Sequence, residues 1–350
     1  MNCRQGFCLG GIKDKMPKAS IIIVNYNGRD CIRDCLSALE GQLFQDFELI
    51  VVENASTDDS LDEIRSFVEK SPLQHPAKIV PLESNAGFAG GNAAGLRYAE
   101  ADYIALLNND AEPTEGWLEH LVQAMETEPD IGICASKMIT SGSNIIDSAG
   151  DGYATSLKGF KRGEGEGAEK YNRQEYVFGA CAGAALYRRK MLDEIGFLDE
   201  DFFLIQEDTD LNFRAQLSGW KVIYVPTAII YHKVRSTIGH MSDMAIFYSL
   251  RNSELVRIKN IPFPLFLRCL PAFIIGSILE FVYFGVKHQK PGLYVKAKVD
   301  VIKSLHETLR KRKYIMEKIR KVDNEYLYRI MTPVWNKEFF TMKIRKFLCR

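Results

Sequence analysis

An apolar run over residues 103–107 stops at Asn108-Asn109-Asp110, two amides and a carboxylate followed by Ala111, Glu112 and Pro113. The carboxyl end of a buried strand opens into the crevice where open α/β sheets bind ligands, so Asp110 is a candidate metal ligand. Asn, Asp and Pro after a strand also make an ordinary turn, and this stretch alone does not choose between the two. Farther along, Glu207-Asp208 follow the apolar residues 202–205. A like charge raises a carboxylate's pKa, which suits a general base near neutrality; residues 208–210 equally suit the N-cap of a helix over 211–217. His232, after the strand-like residues 228–231, can ligate a cation or fill a structural role.

Three other strand ends carry groups able to read a nucleotide. Residues 20–28, SIIIVNYNG, end in amides, an aromatic ring and a flexible turn at Asn25, Tyr26, Asn27 and Gly28, where a base and ribose can lie. A second run ends Val52-Glu53-Asn54; a carboxylate there can accept the imide N–H of uracil or thymine, while residues 56–59 cap the next helix. The segment Asn85-Ala86-Gly87-Phe88-Ala89-Gly90-Gly91-Asn92 opens a helix, and its glycines let backbone N–H groups approach a phosphate or sugar. It is neither a P-loop nor a dinucleotide fingerprint, because no Gly-Lys-Ser/Thr follows and it does not follow the first strand.

Alternating elements position these ends. Strands are expected at 20–24, 48–52, 78–81, 103–107, 131–137 and 220–226, and helices at 29–40, 60–70, 90–101 and 117–127, the pattern of parallel βαβ units. Residues 142–167, rich in Gly, Ser and charge, are expected to be surface loops or a mobile flap. Residues 1–18 lack an apolar segment of signal-peptide length and are expected to be loosely ordered. The eight cysteines show no C-x-x-C pair and read as small buried hydrophobes of a reducing compartment.

The formal charge is zero over 350 residues, yet from residue 287 onward 18 Lys and Arg face 6 Asp and Glu, leaving 27 against 39 before it. A basic tail suits an anionic partner. Nucleic acid is excluded as the preferred one, because no base-reading module or aromatic-basic interleaving accompanies the charge. Residues 261–286 are long and apolar but interrupted by Pro262, Pro264, Arg268, Pro271 and Glu280. A spanning helix needs about 20 apolar residues, and each central charge costs roughly 2.5–3.5 kcal/mol, so spanning is disfavoured. Val299, Ile302, Leu305 and Leu309 then share one helical face ahead of Arg310-Lys311-Arg312-Lys313, a pattern that suits an anionic membrane surface; a soluble helical subdomain is the alternative.

Taken in order, SIIIVNYNG, VVENASTDDS, NAGFAGGNAAGLRYA and ALLNND resemble the nucleotide-sugar half of a family 2 glycosyltransferase, in its rhamnosyltransferase-like branch, and FGACAGAALY, IGFLDE, the Glu207-Asp208 region and His232 resemble its acceptor half. The resemblance covers residues 19–240 and implies an α/β fold of GT-A type with a mostly parallel central sheet. It implies a nucleotide-sugar half at 19–137, an acceptor half at 138–240, and a separate helical region, apolar then basic, at 241–350.

It further implies nucleotide contacts from Val24, Asn25, Tyr26, Glu53, Asn85, Gly87, Phe88, Asn92, Asn108 and Asn109. A Mg²⁺ or Mn²⁺ ion would be held by Asp110 and completed by His232, with Asp208 of the acidic pair as base and Cys181, Ala182, Gly183 and Arg214 on the acceptor side. The implied activity is inverting transfer of a sugar, rhamnose by the branch's name, from a dTDP or UDP donor to a lipid-linked glycan on the cytoplasmic face of the cell membrane. Glu53 and Asn108-Asn109 depart from the family's usual aspartate and DxD signature. They keep open a catalytically degenerate protein that only binds nucleotide sugars. The oligomeric state is not fixed by the sequence, and a homo-oligomer is compatible with it.

Overall fold

Aliphatic residues at successive strand positions send side chains to both faces of a sheet, so such strands need cover on both sides. The computed structural model describes residues 16–70, 77–233, 242–336 and 339–341; residues 1–15 of the N-terminus expected to be loose lie outside it. β1 (Ala19–Asn25), β2 (Phe47–Glu53), β3 (Ala77–Pro81) and β4 (Tyr103–Asn108) run parallel in the order β3-β2-β1-β4. Ile22, Ile50, Ile104 and Leu106 enter one core, and Ile21, Ile23, Leu49, Val51 and Leu107 the other. α1 (Arg29–Glu40), α2 (Ser60–Lys70) and α3 (Gly87–Leu96) provide the crossovers. α3 starts and ends earlier than the periodicity suggests, because the chain turns after Leu96, where the Ala99 N–H returns to the Leu96 carbonyl.

The chain continues through β5 (Ala111–Pro113), α4 (Trp117–Glu126), β6 (Ile131–Thr140), β7 (Ile146–Ala149), β8 (Asp151–Ala154), β9 (Lys158–Lys161), β10 (Glu175–Tyr176), β11 (Ala184–Arg188), α5 (Arg189–Ile195), α6 (Glu207–Ser218) and β12 (Lys221–His232), with β8 and β9 in a separate two-stranded sheet. β11 runs antiparallel between β4 and β6, so the sheet is parallel on its nucleotide side and mixed beyond it. β12 joins both expected strand pieces into one, with an irregularity between Val225 and Ile229. Its far end brings His232 opposite Ala111, one residue from Asp110.

The segment 142–167 is not a flap. Every residue of β7 and β8 is buried, and β8 and β9 form a hairpin. Ile146, Ala149, Tyr153 and Leu157 join the core, and the charges that suggested a loop include a partly buried ion pair between Lys161 and Asp147. The cysteines among the described residues are free, and Cys31, Cys35, Cys134 and Cys269 are buried.

Helices follow: α7 (Asp243–Asn260), α8 (Phe263–Phe281), α9 (Pro291–Lys303), α10 (Leu305–Tyr314) and α11 (Asn324–Ile330). α7 lies against α6 through buried charges. Asp210, 0% exposed, accepts from Arg214 Nε at 2.9 Å, Lys259 Nζ at 2.9 Å and Asn260 Nδ2 at 2.7 Å. Arg214 also binds the carbonyls of Ile195, Gly196 and Phe197. Its guanidinium is therefore engaged on every nitrogen inside the protein, and Arg214 braces α6 instead of facing an acceptor. Burial disfavours the ionised Asp210, but Lys259 and Arg214 outweigh it and hold its carboxyl below the usual range.

Breaking a buried ion pair strands the surviving charges. Asp210→Ala is expected to cost about 3–5 kcal/mol in urea denaturation. A loss under about 1 kcal/mol, the scale of a surface pair, would show that the network does not brace α6 and α7.

Candidate active site

Three strand ends meet through side-chain amides. Asn109 Nδ2 donates to Asn25 Oδ1 at 2.8 Å, passing so close to Gly28 that a Cβ there would lie 2.0 Å from Asn109 Nδ2. The backbone N–H of Asn27 donates to Ser56 Oγ at 2.9 Å, and Asn27 Oδ1 accepts the Thr57 N–H at 2.8 Å, so the turns after β1 and β2 are stitched together. Glu53, buried at the end of β2, accepts the Ser56 N–H at 2.9 Å. Asp58 accepts the Ser60 N–H at 3.1 Å and caps α2 as expected. Val24 and Tyr26 are half-buried beside this edge.

Asn85 Oδ1 receives the Gly87 N–H at 2.8 Å and Asn54 Nδ2 at 3.0 Å. Gly87 has φ +71°, and a Cβ there would meet the Phe203 carbonyl at 2.4 Å, so this turn needs glycine both for its backbone and for the approach. Phe88 is half-buried and packs on the core. Asn92, expected among the nucleotide contacts, is 1% exposed and donates to the Phe88 carbonyl at 2.9 Å; its amide supports α3 from within.

At the ends of β4 and β12, Asp110 Oδ1 lies 3.1 Å from His232 Nε2, and Asp147 Oδ2 lies 3.0 Å from His232 Nδ1. Asn108 Nδ2 approaches the same Nε2 at 3.3 Å. Lys161 Nζ holds both Asp147 oxygens at 2.9 Å. Burial opposes a charged imidazole, but the hydrogen bonds to Asp110 and Asp147 outweigh it and raise the His232 pKa from 6.5 to about 9. Asp147 is held well below the usual carboxylate range, because Lys161 and then His232 overcome its burial.

This donor set fits a divalent cation. A metal-ligating histidine characteristically gives its other ring N–H to a carboxylate, the place Asp147 takes, leaving Nε2 and Asp110 facing one another as ligand atoms. Among the described residues no group of three His, Cys, Asp or Glu is arranged to hold an ion alone. The remaining positions would therefore fall to oxygens of a bound diphosphate or to water.

The acidic pair sits across a short turn from that edge. Asp208 Oδ2 accepts the Ala182 N–H at 3.3 Å, and the neighbouring Gly183 carbonyl accepts the Asn108 N–H at 2.8 Å. The pair does not cap a helix: α6 begins at Glu207, and Gln206 before it is left-handed at φ 75°. Glu207 is buried, with Oε2 lacking a hydrogen-bond partner, whereas Asp208 keeps part of its surface open. Burial lifts the pKa of Asp208 despite N–H bonds from Ala182 and Thr209, and burial then Asp208's charge lift that of Glu207. Asp151 on β8 is raised likewise, by burial and by Asp208.

The loop before α6 is strained, with Phe203, Ile205 and Gln206 at φ 61°, 65° and 75°. Asn252 of α7 holds it: fully buried, its Nδ2 lies 2.8, 2.8 and 2.7 Å from the carbonyls of Phe202, Leu204 and Ile205. The Phe203 carbonyl in turn accepts the Ala89 N–H at 3.0 Å, tying the loop to the glycine-rich turn. The structure thus brings together Asn25, Asn109, Asn108, Asp110, His232, Gly183, Ala182 and Asp208, with half-buried Cys181 alongside. Sequence reasoning misses Asp147, Asp151 and Lys161, hidden in the segment read as loops, and Asn252. No period-two apolar pattern marks residues 146–151, Ile-Asp-Ser-Ala-Gly-Asp, as strands.

A family model described as glycosyl transferase family 2 matches residues 20–196. The chain is 24% identical over 239 residues to the poly-beta-1,6-N-acetyl-D-glucosamine synthase of Staphylococcus epidermidis, covering 68% of this chain and 55% of that protein. It is 22% identical over 261 residues to the synthase of that name from Staphylococcus aureus strain MW2, covering 73% and 60%. The chain therefore spans little more than half the length of these relatives. In fold it is similar to S. aureus TarS 1-349 in complex with UDP-GlcNAc, with TM-score 0.57, 19% identity and coverage of 89% and 90%. It is likewise similar to the mannosyltransferase PcManGT from Pyrobaculum calidifontis in complex with GDP-Man and Mn²⁺, with TM-score 0.54, 14% identity and coverage of 96% and 89%.

The doubly bonded imidazole gives a measurable titration. Because the folded pKa of about 9 lies above 6.5, its stabilising contribution is complete below about pH 6.5 and lost as pH rises through about 9. In cation-free protein the His232 NMR titration is expected to centre near 9 and to move toward 6.5 in Asp147→Asn. A parent midpoint at or below 6.5 would contradict the two-carboxylate clamp.

Proposed function

The chain belongs to glycosyl transferase family 2, and we propose that it transfers a sugar from a nucleoside-diphosphate donor to a glycan hydroxyl in one inverting displacement, with Asp208 as base. Its fold is α/β of GT-A type, with a mixed central sheet and a helical C-terminal region. The observation that carries the proposal is the single turn joining two chemistries: Ala182 binds the Asp208 carboxylate, and Gly183 next to it binds the strand end that carries Asp110.

The two ends divide the work. Transfer requires charge to leave with the diphosphate and a proton to leave the acceptor hydroxyl. Asn108, Asn109 and the turn at Gly87 line the donor side, Asn25, 0% exposed, holds Asn109 from within, and Glu53 would offer its carboxylate to the imide N–H of uracil or thymine. A Mg²⁺ or Mn²⁺ ion held by Asp110 and His232 would neutralise developing charge on the departing diphosphate. Asp208, partly open and raised in pKa, takes the hydroxyl proton as the acceptor oxygen attacks the anomeric carbon. The proton ends on Asp208 and the sugar on the acceptor, without a covalent sugar–enzyme intermediate. Glu207 stays behind it, buried, and its own raised pKa keeps a second negative charge away from the base.

UDP-GlcNAc, present in the S. aureus TarS 1-349 complex, is the first donor to test, and dTDP-rhamnose, suggested by the branch resemblance, the second. The proposed setting is cell-surface polysaccharide synthesis on a lipid-linked glycan at the cytoplasmic face of the membrane; the name of the staphylococcal relatives supports the polysaccharide part of it. Glu53 and the Asn108-Asn109 pair favour a binding-only protein; Asp110, His232 and Asp208, each held by hydrogen bonds, favour the enzyme.

Asp208→Asn is expected to lower kcat by about 10²–10⁴-fold, the usual worth of a general base, while calorimetric binding of the donor with Mn²⁺ is unchanged. In the parent, the acid limb of the rate profile should lie above the ordinary aspartate value of about 4, the direction of the Asp208 shift. Full turnover in the variant would remove Asp208 as base; donor binding with no turnover in the parent would leave the binding-only reading.

A further inference from the structure

α8 runs on through residues 282–287, so residues 263–287 form one apolar helix of 25 residues, and only 17% of its most apolar stretch is buried. Leu267, Ile274, Ile275, Ile278, Leu279 and Val286 recur at helical spacing along its outer side and each exposes 49–61% of its surface. A patch of this kind on a water-soluble protein marks an interaction surface. The opposite side is fastened to the rest of the chain. Leu265 and Cys269 enter the main core, Gly276 packs against Ser156, and Glu280 pairs with Lys158. Arg268 pairs with Glu325 at 2.6 Å and lies 3.6 Å over the Tyr328 ring. Both charges that interrupt the apolar sequence are thus engaged by the protein.

A second exposed stripe follows on α9 and α10. Val295, Val299, Ile302, Leu305 and Leu309 are exposed, with the exposed cations Lys296, Lys303, Arg310 and Lys313 beside them. The chain from residue 287 carries 18 Lys and Arg against 6 Asp and Glu, which selects a negatively charged occupant over a neutral one. We propose that this face docks on an anionic lipid bilayer, with α8 lying in the plane of the membrane and its Leu267–Val286 stripe in the acyl boundary. The sideways attachment decides the orientation. From Leu265 to Glu280 and beyond, the helix is held over more than ~20 Å at 1.5 Å per residue, and crossing would carry Ser156, Lys158 and Glu325 into hydrocarbon.

The β8–β9 hairpin then links membrane and site. Ser156 and Lys158 at its tip meet α8, while Asp151 and Lys161 at its base lie opposite one another and reach toward Asp208 and Asp147. The inference rests on the sugar-transfer reading only for what is delivered there, a lipid-linked acceptor.

Flotation of the full chain with phosphatidylcholine vesicles, with and without phosphatidylglycerol, tests it. The protein is expected to float with the anionic vesicles, less at high salt, and to lose flotation in the Ile275→Asp/Ile278→Asp double variant, whose circular dichroism and calorimetric donor binding stay at parent values. Failure to float with either vesicle, or a double variant that floats like the parent, overturns the docking surface. A protein that dimerises through this face and does not float overturns it in favour of a second copy. Orientation is read from Pro264→Cys and Gln289→Cys on vesicle-bound protein, with labelled positions located by peptide mass spectrometry against the native cysteines: an impermeant maleimide added outside labels both introduced sites if α8 lies in plane, and protection of one until detergent is added overturns that orientation. Flotation uses neither donor nor acceptor, so a protein that floats but transfers no sugar sinks the enzymatic reading alone.

Discussion

One imidazole held between two buried carboxylates organises the active edge. Asp110 and Asp147 come from β-structure far apart in sequence, and neither can be buried ionised without a partner. His232 answers both, and Lys161 answers Asp147 from the other side. The ring is therefore fixed by its charges as well as by packing, and the long strand β12 exists to deliver it. Beyond its irregularity between Val225 and Ile229 the strand keeps its pairing with β6 and also pairs with β5, which carries the chain away from Asp110.

The same economy of buried charge governs the acidic pair. Asp151, Glu207 and Asp208 crowd one another in a desolvated pocket, and all three hold their protons more tightly than in water. Asp210, two residues on, has the opposite fate, because Arg214 and Lys259 reach it. These four carboxylates divide by whether nearby cations overcome burial: Lys161 acts on Asp151 and Asp208 without doing so, whereas Lys259 and Arg214 do so at Asp210. Distance in sequence says nothing about that division, as Asp208 and Asp210, two residues apart, show.

Much of the first half is legible in the sequence because its physics is local. Uninterrupted aliphatic runs give β1, β2 and β4, helical periodicity gives α1 and α2, and polar residues abruptly ending each strand mark the donor edge. Asp110 and His232, which meet at 3.1 Å, are singled out by residue type and order. Asp147 and Lys161 are not, since a buried salt bridge inside Gly- and Ser-rich text has the same composition as a solvated loop. Arg214 and Asn92 are misread for a related reason: a polar side chain near a site looks alike whether it faces a ligand or three backbone carbonyls. Asn252 carries no local signal, because the strained loop it holds lies some fifty residues upstream.

That last contact has a consequence for how such proteins can be built. Composition draws a boundary near residue 240, and the family model ends at residue 196. Yet the amide that steadies the loop ahead of Glu207 and Asp208 comes from beyond both limits. The half that carries Glu207 and Asp208 and the helices behind it are consequently not interchangeable modules. A lineage that replaced its C-terminal helices would have to reinvent a donor for the carbonyls of Phe202, Leu204 and Ile205, so the geometry of this loop and the helices behind it must be inherited together.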